Sequence, residues 1–77
     1  MPKIPRVRDR ELIRALQKLG FFPHQEHGTS HLVFSHPDGR RTTVSRHPGK
    51  DIPIGTLRSI IRDMGISAEG FISALKK

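Results

Sequence analysis

Five histidines, His24, His27, His31, His36 and His47, stand among 14 lysines and arginines in a chain of 77 residues. Imidazole titrates near neutral pH, so a histidine can take a proton from one oxygen and hand one to another. Cleaving RNA without a metal needs those two transfers. One removes the proton from the attacking 2′-OH, and the other protonates the leaving 5′-oxygen. Cationic side chains can stabilise the charge that builds on the phosphorane between them. His31 is the histidine best framed for this work. It follows the turn Gly28-Thr29-Ser30 and opens the apolar stretch Leu32-Val33-Phe34. We therefore read His31 as a candidate acid or base acting on RNA, with Gly28 and Ser30 shaping the turn in front of it.

Other chemistries fit less well. Ser30 adjoins His31 in extended chain, so their side chains point to opposite faces, and no nucleophile-elbow motif is present. His24, His27 and His31 do not read as a metal set, because a strand-and-turn context does not fix three ligands by spacing. With no cysteine there is no thiolate site and no disulfide. No metal and no small-molecule cofactor is expected. The bland alternative for each histidine is a solvated surface residue. It is the preferred reading for His36, which precedes Pro37 in a turn, and for His47, although His47 lies close enough to basic residues to approach a phosphate.

Those basic residues are Arg40, Arg41, Arg46 and Lys50, around a third extended segment and its exit, with Arg58 and Arg62 four apart on a helix. Against 7 acidic residues the balance leaves a net charge of +7. A domain this basic attracts polyanions, with RNA or DNA first. Arg40, Arg41, Arg46, Lys50 and Arg58 are read as contacts to the RNA backbone, which bind in a salt-dependent way and carry little sequence information. A membrane surface fits poorly, since the charges are spread over several elements rather than along one amphipathic helix. No apolar run is long enough to span a bilayer, and the start Met-Pro-Lys-Ile-Pro-Arg lacks a signal-peptide core. The expected location is the cytoplasm, and the expected organisation is one domain over residues 1–77.

The elements that must position His31 follow from periodicity. Residues 1–8 read as an extended arm, with Ile4 and Val7 packing back on the body. Asp9 is the expected N-cap of a first helix whose stripe is Leu12, Ile13, Leu16 and Leu19, closed by Gly20. Phe21 and Phe22 read as core rather than as a stacking platform. His24 to His27 reads as a short strand or strand end, confined by Pro23 to an edge or a strand start. His31–Ser35 and Arg41–Ser45 read as the next two strands, joined by the turn Pro37-Asp38-Gly39. Leu32 and Phe34 then face the helices, and His31, Val33 and Ser35 face away. A second helix carries the stripe Ile54, Leu57, Ile60, Ile61 and Met64 and stops at Gly65. Ser67 caps a short last helix through Phe71, Ile72 and Leu75, with Lys76 and Lys77 fraying. The fold class is α+β: helix, three-stranded antiparallel sheet, helix and a short C-terminal helix, the layout of a double-stranded-RNA-binding domain.

At this point the segments resemble a known family. Ile4-Pro5-Arg6-Val7, Glu11-Leu12-Ile13-Arg14-Ala15-Leu16 and Leu19-Gly20-Phe21 are similar to the opening and first helix of HicA-type (YcfA-like) toxins. Gly28-Thr29-Ser30-His31 resembles their Gly-Ser-His turn, and His36-Pro37-Asp38-Gly39-Arg40 their hairpin. The most specific match is His47-Pro48-Gly49-Lys50-Asp51-Ile52 followed by Gly55-Thr56-Leu57-Arg58-Ser59-Ile60-Ile61-Arg62. The resemblance implies a double-stranded-RNA-binding-like fold and a metal-independent endoribonuclease acting on mRNA. It also implies one catalytic histidine, at His31, and a HicB-type antitoxin that covers the catalytic face. Here Thr29 and Ser30 both separate Gly28 from His31, one residue more than the common spacing. The second proton-transfer group stays open among His27, His47, Lys50 and the substrate itself. Two other readings are a non-catalytic RNA-binding module of the same fold and a subunit that binds an acidic protein.

Overall fold

Helix α1 begins where an extended arm is forced to turn. A computed structural model describes residues 3–24, 31–45 and 49–76. Val7 and Arg8 run alongside Asp51 and Ile52. Ile52 N–H donates to the Val7 carbonyl at 2.8 Å, and Arg8 and Asp51 form an antiparallel bridge. That pairing holds Arg8 extended, at φ −94° and ψ 161°, and makes it the N-cap of α1 (Asp9–Lys18). The expected cap, Asp9, is instead the first helical residue and is buried. Arginine has no acceptor to offer the helix, so the cap is one-sided: the Glu11 carboxylate accepts the Arg8 N–H at 3.0 Å. The arm packs as expected, with Val7 fully buried and Ile4 against the core.

Along α1, Leu12, Ala15 and Leu16 are buried, while Ile13 and Leu19 are half-buried. Gly20 ends the element at φ +93° and hands the chain to Phe21, which turns into the core. Three strands follow, β1 (Phe22–His24), β2 (His31–Ser35) and β3 (Arg41–Ser45), in the spatial order β1-β2-β3. Both pairings are antiparallel. Two expectations change at β1. The strand starts at Phe22, and the residues after His24 that were read as strand lie outside the described residues. Phe22 is not core: it is 45% exposed, because strand alternation sends it to the face opposite Phe21, across from Ser35.

The two longer strands keep the expected bounds and the expected alternation. Phe34, Thr42 and Val44 are buried on the inner face, where Leu32 pairs with Val44 and Phe34 with Thr42. Their partners in the core are Leu12 and Leu16 of α1, four residues of α2 (Ile54–Met64) and two of α3 (Ala68–Lys76). The α2 stripe is Leu57, Ile60, Ile61 and Met64. Ile54, expected on it, is 50% exposed, since the first residue of α2 precedes the part of the helix that meets the sheet. Thr42 Oγ1 donates to Asp63 Oδ2 at 3.1 Å, pinning α2 to β3. Ser67 caps α3 by accepting the Gly70 N–H at 3.0 Å, and Lys18 Nζ reaches the Ala74 carbonyl at 3.4 Å. Lys76, expected to fray, closes α3.

The β2–β3 turn is tied into the body by Arg40. Its Nε donates to Asp38 Oδ2 at 2.8 Å, its guanidinium lies 5.2 Å from the centre of the Phe21 ring, and its Nη1 donates to the Met64 carbonyl at the end of α2. The Arg40 backbone N–H on Asp38 Oδ1, foremost, and the guanidinium beside it hold the Asp38 carboxyl below its ordinary value. His36 belongs to the same cluster. It was expected in solvent, but its side chain is only 22% exposed and stands edge-on to Phe21, with ring centres 5.1 Å apart.

Two stability outcomes follow from these contacts. Phe34→Ala should cost about 3–5 kcal/mol, a large share of what so small a core supplies, read as a fall in the urea midpoint. Arg40→Ala should cost about 1.5–3 kcal/mol, as for hydrogen bonds to charged groups, while the same change at exposed Arg41 should stay within about 0.5 kcal/mol.

Candidate functional site

The helices cover one face of the sheet, and the side chains of interest sit on the other. By pairing register that open face carries Phe22 and His24 of β1, His31, Val33 and Ser35 of β2, and Arg41, Thr43 and Ser45 of β3. All eight lie at the surface or half-buried. Outward placement of His31, Val33 and Ser35 was the sequence expectation, and the register reproduces it.

His31 is the first residue of β2. It pairs with Ser45, the last of β3, and is exposed. The imidazole here is carried at the very start of a paired strand, on the sheet face that the helices leave uncovered. Gly28 and Ser30, expected to shape the turn before it, lie outside the described residues, as do Arg46, His27 and His47. Lys50, the remaining candidate for a second proton-transfer group, is exposed in the turn that follows Gly49 at φ +79°.

Sequence reasoning passed over a second histidine on the same face. His24 pairs across the strands with Val33, so its diagonal neighbours on β2 are His31 and Ser35. Diagonal neighbours in such a pair lie about 7–8 Å apart. The imidazole leans towards Ser35, with Nε2 at 2.8 Å from Oγ, and its ring lies 5.4 Å from that of Phe22. Nothing local marks His24 for this. Its position relative to His31 exists only once β1 and β2 are in register.

The five arginines and lysines read as backbone contacts separate into different settings. Arg41 is exposed on the open face beside Ser35, and Lys50 and Arg58 are exposed elsewhere. Arg40 points the other way, into the Phe21 cluster, where its cation is used to hold the fold. Between β1, β2 and the hairpin turn there is a hollow of about 330 Å³, lined by His24, Ser35, His36, Gly39, Arg40 and Arg41. A larger groove of about 700 Å³ lies on the covered side, where Arg10, Ile13, Arg14 and Gln17 of α1 approach Pro23 and Leu32. Among the described residues no three His, Cys, Asp or Glu side chains gather as a metal site, and no helix is long and apolar enough to cross a membrane.

The arrangement is thus a small α+β domain whose open sheet face carries two imidazoles, a hydroxyl-bonded histidine among them, and an exposed guanidinium. No curated protein matches the chain. A family model does: that of the HicA toxin of bacterial toxin–antitoxin systems, over residues 10–66. The match covers the first helix, all three strands and the second helix, so this chain belongs to the HicA toxin family and has an antitoxin as its implied partner.

Proposed function

We propose that this chain is the ribonuclease half of its toxin–antitoxin pair, a metal-independent endoribonuclease that cleaves mRNA and is silenced by a HicB-type antitoxin. The observation that carries this reading is the place of His31: exposed, at the entrance of β2, on the sheet face that the helices leave open. Membership of a toxin family and the net charge of +7 support it.

In the reaction, the ribose 2′-OH loses its proton and attacks the adjacent phosphorus. The P–O5′ bond breaks and the 5′-oxygen takes up a proton, leaving a 2′,3′-cyclic phosphate and a free 5′-OH. His31 performs one of these transfers at its imidazole. Positioned acid–base groups contribute about 10²–10⁴ in rate, so a single residue of this kind can dominate turnover. Gly28 and Ser30 set the approach to His31. Arg41, Lys50 and Arg58 hold the RNA backbone, a role that Arg46 shares and that Arg40 can serve only from its position in the Phe21 cluster. An antitoxin inhibits by covering the face that bears His31. Residues 1–77 act in this scheme as one toxin domain.

A long single-stranded RNA incubated with the protein in EDTA should be cut, and His31→Ala should lower the rate at least a hundredfold while circular dichroism stays unchanged. RNA binding without cleavage by either protein would favour a binding module of the same fold. Equal cleavage by both would remove His31 from the chemistry.

A further inference from the structure

We infer that the hollow between β1, β2 and the hairpin turn, together with the Phe22 ring beside its lining residue His24, is a nucleotide subsite for the single-stranded substrate, with Phe22 as the stacking surface for a base and Arg41, Ser35 and His24 as the seat of its phosphate. The inference rests on the ribonuclease reading and extends it. It gives the RNA a second point of attachment, away from the scissile bond.

Three independent observations converge on this spot. The first is chemical. His24 and Ser35 are already bonded at 2.8 Å, and Arg41 stands directly across from Ser35 on β3. A phosphate seated there would meet the Arg41 guanidinium and one further donor from the His24–Ser35 pair, whose mutual bond uses the other hydrogen. Among the described residues no carboxylate takes up the Arg41 guanidinium, whereas its neighbour Arg40 is held by Asp38, the one carboxylate of the cluster.

The second is the ring. Among the described residues Phe22 is one of two large apolar side chains that stand exposed, and it borders His24 with ring centres 5.4 Å apart. A phenyl face beside a cationic seat suits a base attached to a phosphate, and stacking of this kind is tolerant of sequence. Among the described residues the other exposed large apolar side chain, Ile54, belongs to α2 rather than to the sheet.

The third is distance. Ser35 lies four residues along β2 from His31 on the same face, about 13 Å at ordinary strand rise. An RNA strand covers that span in a few nucleotides. One chain can therefore lie over the open face with its scissile phosphate at His31 and a neighbouring nucleotide in the hollow.

The test uses short 5′-fluorescein oligoribonucleotides and the intact chain carrying His31→Ala, so that binding is read without turnover. Adding Phe22→Ala should weaken binding about five- to hundredfold. An abasic nucleotide at one position of the oligomer should weaken binding to the same degree and make Phe22→Ala silent. Adding Arg41→Ala should lower the slope of log affinity against log salt by about 0.7, and Ser35→Ala should weaken binding at every sequence. In the otherwise native chain, Phe22→Ala and Arg41→Ala should raise KM for short substrates with little change in kcat. Cleavage by the parent with Phe22→Ala and Arg41→Ala indistinguishable from it would overturn the subsite and leave the ribonuclease reading standing. Phe22→Ala and Arg41→Ala variants that keep full RNA affinity would also overturn the subsite, whether or not they still hold the co-expressed antitoxin. A parent that neither binds nor cuts RNA would remove both.

Discussion

A cation held against a phenyl ring is the contact on which this small domain turns. Arg40 leaves the hairpin between β2 and β3, crosses the Phe21 ring and ends on the last carbonyl of α2. In one side chain it joins the exit of α1, the turn of the sheet and the end of the second helix. Without cysteines the chain has no covalent staple, and a core of this size buries a modest part of the surface its unfolded chain exposes. Polar contacts that fix the angle between layers therefore matter more than they would in a larger protein. Gly65 ends α2 at φ +69°, and a methyl group there would come within 3.2 Å of Arg40 Cδ. The glycine that stops the helix also makes room for the arginine that caps it.

The same arrangement explains how the chain divides its charge. Arg40, just before β3, turns into the Phe21 cluster, whereas Arg41, the first residue of β3, stays exposed across from Ser35. One is consumed in holding the structure and the other is left at the surface. The neighbouring histidines divide in a similar way. His36 fills the space beside Phe21, while His24 and His31 stay on the open face. Counting basic residues overstates the part of the +7 charge that a polyanion meets directly at this face.

Much of this was legible in the sequence. The bounds of β2 and β3, the facing of Leu32 and Phe34, the stop at Gly20 and the Ser67 cap all follow from local rules of period, turn chemistry and capping. The misses have more than one cause, and several depend on a contact distant in sequence. Asp9 has the side chain of an N-cap, but the bridge between Arg8 and Asp51 sets the helix start one residue earlier. Phe22 is as apolar as Phe21, yet alternation gives the core only one of them. Ile54 obeys the stripe of α2, but periodicity tells which way a side chain points and not how far the opposing surface extends. At the site, the strand that carries His31 could be read from its residues. The relation of His24 to it could not, because the β1–β2 register is set by pairing and not by any motif.

Pro23 has a bearing on how such a chain survives at high concentration. A three-stranded sheet has two edges, and each is a template on which another copy can lay a strand. On the β1 side the described edge is three residues long and its middle residue is a proline, which has no N–H to give. A ladder growing from that side meets a gap at once. The β3 side runs five residues from Arg41 to Ser45, and a copy added there in parallel register would set Arg41 against its own copy. Strand addition is thus checked at the described β1 edge by a missing donor and opposed in parallel register at β3 by like charge.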